Sequence, residues 1–249
     1  MRKAYLWTKS KARLQCVNST PGKYHWLFLP GGPGLGSESL APLTNILQLP
    51  GSTWHVDFPG DGSNLLDDSY LNIALWKKAL IEAVSALNNV ILVAHSSSGM
   101  FALTITELEK ILSGLVLIGS TPDTSWQKAF MQYVKLHPLA KVEKLQKLYT
   151  ANPSNKLLKQ LTIAAAPNFL TAKGIKKNSA FLNSLPYNSK SHIFFDKHFH
   201  ENYKAKWFPK KMPTLIFTGE QDPITPLTLF KNSKQFRHSN ILIEEIRNA

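Results

Sequence analysis

Hydrophobic and polar residues follow two patterns that alternate along the chain. Short, nearly continuous apolar runs predict β-strands at 4–8, 11–17, 24–29, 53–57, 90–94, 114–119, 212–218 and 241–246. Between some of them, apolar residues recur every three or four positions, as at Trp76, Leu80 and Val84, and predict helices. Strands that alternate with helices and are apolar along their length predict an α/β fold: a mostly parallel sheet covered on both faces.

The same pattern predicts further helices. One spans residues 101–108, directly after the strand at 90–94, and segment 123–211 is helix-rich. Thr225 and Pro226 form a favourable N-cap and N1 pair for a helix that runs to about Arg237. The helical segment therefore lies between two strands of the predicted sheet.

Three loops rich in glycine, proline and polar residues follow predicted strands, at 30–37 (PGGPGLGS), 58–63 (FPGDGS) and 219–223 (GEQDP). Their composition is typical of turns. In open parallel sheets, ligands bind beyond the carboxyl ends of the strands. Because all three loops come at such ends, we expect them to surround one site.

The strand at 90–94 ends in serines, in the sequence VILVAHSSSGM over residues 90–100. A strand that turns at once into a helix forces its central residue into an unusual backbone geometry, which requires small residues two positions away on each side. Ala94 and Ser98 meet this requirement around Ser96. Centring the turn on Ser97 or Ser98 would put His95 or Met100 at a tight position, so we predict Ser96 as a nucleophile for acyl transfer.

These loops, in this order, resemble those of the α/β-hydrolases, and the likeness extends over nearly the whole chain. The Gly-Gly-Pro-Gly loop is similar to that of proline-iminopeptidase-type members. The resemblance implies a serine hydrolase with a core at 1–122 and 212–249 and a helical cap subdomain at 123–211.

The resemblance also implies roles for individual residues. The backbone N–H groups of Gly32 and Ser97 would form the oxyanion hole, where one donor typically contributes about 3 kcal/mol. Asp222 would be the acid that orients the histidine, and Asp123 is the alternative acid. Pro30 stands where the family usually has a histidine that supports the loop.

The family carries its catalytic histidine in a Gly-His pair directly after the last strand. Here the sequence ends Ile246-Arg247-Asn248-Ala249, so that histidine is expected just beyond Ala249. The last helix of the fold, which covers one face of the sheet, is missing as well. We therefore interpret the chain as a C-terminally incomplete version of an active protein.

The eight histidines of the chain lie elsewhere. His25 and His55 fall in predicted strands and are interpreted as structural, and His95 is expected to point away from the nucleophile. The others lie in the predicted cap or before the last strand, at His137, His192, His198, His200 and His238.

The net charge of +13 is concentrated in the cap, because residues 123–211 contain 16 lysines and four acidic residues. The lysines are spread among helical apolar positions, and no nucleic-acid-reading motif accompanies them. We interpret them as a solvated helical surface and expect no nucleic-acid partner; attraction of an anionic substrate or membrane surface remains the alternative.

Other features of the sequence indicate the cellular compartment and whether a cofactor is expected. The single cysteine, Cys16, excludes an intramolecular disulfide and fits a reducing cytoplasm. No apolar run approaches the roughly 20 residues of a membrane helix, and we identify no signal peptide. Neither metal-ligand spacing nor a dinucleotide-binding fingerprint occurs, so we expect no cofactor and no metal.

Three functions remain open. The first is a carboxylesterase-like hydrolase that cleaves a small ester, thioester or amide with an anionic or apolar acyl group. The second is an aminopeptidase that releases N-terminal proline, which needs cap carboxylates such as Glu143, Asp196 or Glu201. The third is a non-catalytic relative that binds a ligand. The serine at the elbow excludes relatives with an aspartate nucleophile, and the oligomeric state stays open.

Overall fold

The computed structural model describes residues 4–248, and within them one sheet of eight strands forms the centre of the protein. The strands are β1 (Ala4–Trp7), β2 (Arg13–Ser19), β3 (His25–Leu29), β4 (Ser52–Asp57), β5 (Val90–His95), β6 (Gly114–Ile118), β7 (Thr214–Gly219) and β8 (Ile241–Ile246). They lie in the order β1-β2-β4-β3-β5-β6-β7-β8.

The sheet is antiparallel at one edge and parallel elsewhere. β1 pairs antiparallel with β2, and β2 with β4. All pairs from β4 and β3 through to β8 are parallel. The predicted mostly parallel sheet is confirmed. Because parallel strands end at the same edge, the residues after Leu29, Asp57, His95, Ile118 and Gly219 are brought together there.

Helices follow most of the strands. They are α1 (Ala41–Thr44), α2 (Ile73–Ser85), α3 (Ser97–Ala102), α4 (Leu108–Ile111), α5 (Ser125–Leu136), α6 (Ala140–Ala151), α7 (Asn155–Ala164), α8 (Ala172–Ser184), α9 (Ser189–His198) and α10 (Thr228–Asn232). Short 3₁₀ turns lie at Ser37–Leu40, Asp68–Tyr70, Ala166–Asn168, His200–Asn202 and Lys234–Phe236.

Alternate residues of the central strands enter apolar layers on opposite faces of the sheet. Leu27 of β3 and Leu92 of β5 pack in one cluster with Trp76 of α2. The neighbouring residue, Phe28, packs on the other face with Leu40. Burying one such side chain contributes about 1.5–3 kcal/mol, so the alternation along each strand holds helices against both faces.

The segment between β6 and β7 divides into two packing groups. Phe195 of α9, with Phe199 and Tyr203 after it, belongs to the same buried cluster as the central sheet. A second cluster, which includes Leu158 and Leu182, lies among α6, α7 and α8. The cap boundaries 123–211 remain a prediction, and the end of this segment is packed into the core.

The helix predicted over residues 101–108 is interrupted, so that prediction was wrong in its extent. α3 ends at Ala102 and α4 begins at Leu108. The carbonyl of Leu103 accepts the N–H of Lys206 at 2.8 Å, and the Thr104 hydroxyl donates to the Phe101 carbonyl at 2.7 Å. These bonds use carbonyls that a longer helix would need.

The helix predicted from Thr225 to Arg237 is also much shorter, spanning only Thr228–Asn232. Thr225 does not cap it. Instead, both the N–H and the hydroxyl of Thr225 donate to Asp222, at 2.9 and 2.6 Å. The Thr225 side chain thus bonds the Asp222 turn, and the described helix has Leu227 at its N-cap, without a side-chain cap.

Candidate active site

Ser96 lies at the junction between β5 and α3 with a backbone conformation that non-glycine residues rarely adopt. Its φ is 53° and its ψ is −126°. Such a conformation costs about 1–3 kcal/mol and persists only where the surroundings enforce it. One enforcing contact is the hydrogen bond from the Ser96 N–H to the Ile118 carbonyl, at 2.8 Å.

Small residues make room for this turn. A Cβ atom on Gly31 would lie 2.8 Å from the Ser96 Cβ, and one on Gly99 would lie 2.6 Å from the Ser120 Oγ. Both distances are shorter than carbon and oxygen atoms tolerate, so glycine is required at both positions. The loop after β3 therefore approaches the half-buried Ser96 side chain more closely than any other residue type would allow.

Ser98 ties the two loops together, because its hydroxyl donates to the carbonyl of Pro30. Pro30 is the position at which the family resemblance led us to expect a supporting histidine. The Ser98 hydroxyl is buried and reaches the loop backbone directly. Ser98 thus restrains the start of the loop, where the family usually has a supporting histidine.

Two buried carboxylates hold the rest of the glycine-rich loop. Asp57, at the end of β4, accepts the N–H and the hydroxyl of Ser37 at 2.6 and 2.8 Å, and it pairs with Arg13 at 2.7 Å. Asp61 accepts the Gly34 N–H at 2.8 Å. Gly32 lies two positions before the Gly34 anchor, with a φ of 117°.

Asp61 also contacts the segment between β6 and β7, since it accepts the hydroxyl of Ser191 at 2.7 Å. Burial raises the pKa of Asp61 to about 6, although the bond from Ser191 opposes that shift. Burial likewise raises the pKa of Asp57, against the charge of Arg13. The loop is therefore held by two carboxyl groups whose ionised forms are disfavoured by burial.

Asp222 follows β7 and accepts four hydrogen bonds. One oxygen accepts the N–H groups of Ile224 and Thr225, at 2.8 and 2.9 Å. The other accepts the hydroxyls of Thr218 and Thr225, both at 2.6 Å. These bonds fix the orientation of the carboxylate at the edge of the sheet.

His95 lies between the elbow and this carboxylate. A Cβ atom on Gly31 would lie 2.7 Å from its Nδ1, and one on Gly119 would lie 3.9 Å from its Cδ2 and 3.6 Å from the Asp222 Oδ2. Burial lowers the pKa of His95, and the charge of Asp222 opposes that effect. Ser96 and Asp222 thus lie at the same edge of the sheet, with the His95 ring near both.

The alternative acid, Asp123, forms a hydrogen bond with a residue two positions later in the chain. Its carboxylate accepts the N–H of Ser125 at 2.9 Å, at the first residue of α5. The His25 Nδ1 accepts the indole N–H of Trp54 at 3.1 Å, and the His55 Nε2 lies 2.9 Å from the Thr44 Oγ1. The histidine expected beyond Ala249 falls outside the described residues and stays a prediction.

His200 is the residue that the sequence analysis missed. Its Nε2 lies 2.8 Å from the Ser97 Oγ, and its Nδ1 lies 3.1 Å from the Asp196 Oδ1. The sequence carries one signal, the Asp-x-x-x-His spacing, which puts two side chains on one face of a regular helix. In the structure α9 ends at His198, and His200 begins the 3₁₀ turn that follows. The contact with Ser97 leaves no such signal because 103 positions separate the two residues.

Comparison with known proteins identifies the family and the fold. A family model described as "Alpha/beta hydrolase family" matches residues 26–244. The chain belongs to the alpha/beta hydrolase family. The resemblance inferred from the loops and the elbow is therefore confirmed, and so is the fold that it implied.

Solved structures of other hydrolases have the same fold. An alpha/beta fold family hydrolase from Bacillus anthracis str. Sterne has a TM-score of 0.71 and 17% identity, covering 98% of this chain and 90% of that one. An esterase from Exiguobacterium antarcticum has a TM-score of 0.68 and 15% identity, covering 97% and 90%. A proline iminopeptidase from Mycobacterium smegmatis has a TM-score of 0.62 and 15% identity, covering 99% and 90%.

At these low identities, the TM-scores show a shared fold and nothing beyond it. No curated protein matches the sequence. Among the helices of residues 4–248, none combines the length and apolar character that crossing a membrane requires.

The raised pKa of Asp61 predicts a specific pH dependence of stability. Between the ordinary value of 3.8 and about 6, the folded protein binds more protons at this carboxyl than the unfolded chain does. The stabilisation by Asp61 is therefore complete at low pH and is lost as pH rises through about 6. Asp61→Asn keeps an acceptor for Gly34 and removes the titration.

We expect the unfolding free energy of the wild type, minus that of Asp61→Asn, to fall by up to about 3 kcal/mol from roughly pH 4 to pH 7. Urea unfolding of both proteins across this range measures the difference. Two curves that stay parallel would show that Asp61 titrates normally in the folded protein.

Proposed function

We propose that the protein is a serine hydrolase that cleaves a small ester, thioester or amide through an acyl-enzyme on Ser96. The observation that carries this proposal is the strained backbone of Ser96 against Gly31. Strain of this kind concentrates at functional sites. A purely structural serine would not require a glycine loop packed against its Cβ.

In the proposed reaction, the Ser96 oxygen attacks the carbonyl carbon of the substrate while a histidine takes the hydroxyl proton. The N–H groups of Gly32 and Ser97 stabilise the negative oxygen that forms. The same histidine returns the proton to the leaving group, and water then releases the acyl group. In the family pattern that histidine belongs to a Gly-His pair after the last strand, and Asp222 would hold it in one tautomer.

The geometry of Asp222 supports it as the acid. Its oxygens accept hydrogen bonds from four donors, so the orientation of the carboxylate is fixed. Asp123 instead caps the start of α5 through Ser125. The described contacts therefore favour Asp222 over Asp123.

The second candidate is an aminopeptidase of the proline-iminopeptidase type. A cavity of about 260 Å³ between α6 and α9 is lined by residues that include Asp196 and Glu201. Two carboxylates in one cavity could bind the ammonium group of such a substrate. However, Lys197 lines the same cavity, and Asp196 is already bonded to His200, which favours the esterase proposal.

Ser96→Ala in the full-length protein is expected to lower kcat/KM for p-nitrophenyl acetate or butyrate by at least about 10³-fold, because the nucleophile is lost. Initial-rate absorbance assays measure kcat/KM for both proteins. Ser184→Ala, at an exposed position of α8, is the matched control and should retain wild-type activity. Unchanged hydrolysis by the Ser96 variant would remove Ser96 from the mechanism.

Asp222→Asn is expected to lower kcat by about 10³- to 10⁴-fold, since an amide cannot stabilise the imidazolium. The asparagine oxygen can still accept the N–H groups of Ile224 and Thr225, so the turn should persist. Asp123→Asn should reduce kcat less than about fivefold. The reverse order of the two effects in the same assay would assign the acid to Asp123.

Turnover of proline β-naphthylamide tests the aminopeptidase directly. The esterase proposal predicts kcat/KM for this amide at least about 100-fold below that for p-nitrophenyl butyrate. Preference for the proline amide, lost in Glu201→Gln, would establish the second candidate instead. Inertness toward both substrates and toward a fluorophosphonate would indicate a non-catalytic relative.

A further inference from the structure

Ser97, the residue after the strained elbow, has a hydroxyl that contacts an imidazole. It is the first residue of α3, and only 6% of its surface is exposed. The Ser97 Oγ lies 2.8 Å from the His200 Nε2. That distance falls in the range of about 2.6–3.2 Å over which a histidine can take a serine proton.

His200 is itself oriented by a carboxylate. Its Nδ1 lies 3.1 Å from the Asp196 Oδ1, four positions earlier in the chain. The hydrogen bond from His200 lowers the pKa of Asp196, which keeps that group ionised. An ionised acceptor at Nδ1 retains the proton there and leaves the Nε2 lone pair facing the Ser97 hydroxyl.

Packing holds the imidazole in this position. The side chain of His200 is 12% exposed, and the rings of Phe195 and Trp126 meet it edge-on, at 5.2 and 5.6 Å between centroids. The His200 carbonyl accepts the Gln127 side-chain amide at 3.1 Å. Since Phe195 is buried in the central core, His200 lies on a rigid part of the protein.

We propose that Ser97, His200 and Asp196 form a second serine-activating array, separate from Ser96 and Asp222, that makes the Ser97 hydroxyl reactive toward small acyl and phosphoryl electrophiles. With a phosphorofluoridate, the Ser97 oxygen forms a bond to phosphorus and fluoride leaves. The Ser97 proton passes to His200 Nε2 and then to water. The carboxylate of Asp196 stabilises the imidazolium and stays ionised.

A bond between Ser97 and His200 would also arise if the pair served only to hold the segment after α9 against the elbow. The two roles differ in chemistry, because a structural contact does not accelerate attack on phosphorus. Reactivity at Ser97 therefore decides between them, and the Ser96→Ala background isolates it from the proposed nucleophile.

The experiment treats the Ser96→Ala protein with diisopropyl fluorophosphate and maps the adduct by peptide mass spectrometry. We expect stoichiometric labelling of Ser97, and no labelling when Ser97→Ala is added. Adding His200→Asn should slow labelling by at least about 100-fold, the usual contribution of a general base. Adding Asp196→Asn, at a largely exposed carboxylate, should slow labelling by at least about tenfold with the fold intact.

His198→Asn is the matched control, because His198 is an exposed histidine two positions earlier in the chain; it should label at the parent rate. Added imidazole should restore labelling of Ser97 in the His200→Ala variant, which a structural role would not produce. Equal labelling rates with and without His200, or no adduct on Ser97, would overturn the proposal. Neither result would bear on Ser96, whose role is tested separately by ester hydrolysis.

Discussion

The left-handed backbone of Ser96 is the constraint on which the rest of the site depends. It is costly by about 1–3 kcal/mol and is maintained by contacts from separate parts of the chain. Ile118 accepts the Ser96 N–H, Gly31 packs against its side chain, and Gly99 lets α3 approach Ser120. Enlarging either glycine would force the strand, the loop or the helix to move.

The glycine-rich loop beside Ser96 depends on two buried carboxyl groups for its shape. Asp57 and Asp61 accept N–H groups that no regular structure satisfies, at Ser37 and Gly34. Since Asp61 also holds Ser191 of α9, the same carboxyl links the loop to the segment that lies over it. The Gly34 carbonyl also accepts the N–H of Asn188 at 2.8 Å, so loop conformation and packing of that segment are coupled through more than one bond.

The segment between β6 and β7 contributes side chains to the central core of the protein. Its last helix contributes Phe195 and the residues after it to the central core, and this packing carries His200 to the elbow. Two serines that are adjacent in sequence consequently have different surroundings. Ser96 faces the glycine loop, whereas Ser97 faces an imidazole that a carboxylate orients.

The sequence by itself determined the parallel sheet and the position of the elbow. Both follow from local properties: the apolar period of the strands, and the small side chains around Ser96. Only the tertiary structure decided where helices stop and which side chains meet. The Lys206 N–H bonds the Leu103 carbonyl where the helix after the elbow ends, and His200 reaches Ser97 across 103 positions. Such contacts depend on how distant elements pack, which no local pattern encodes.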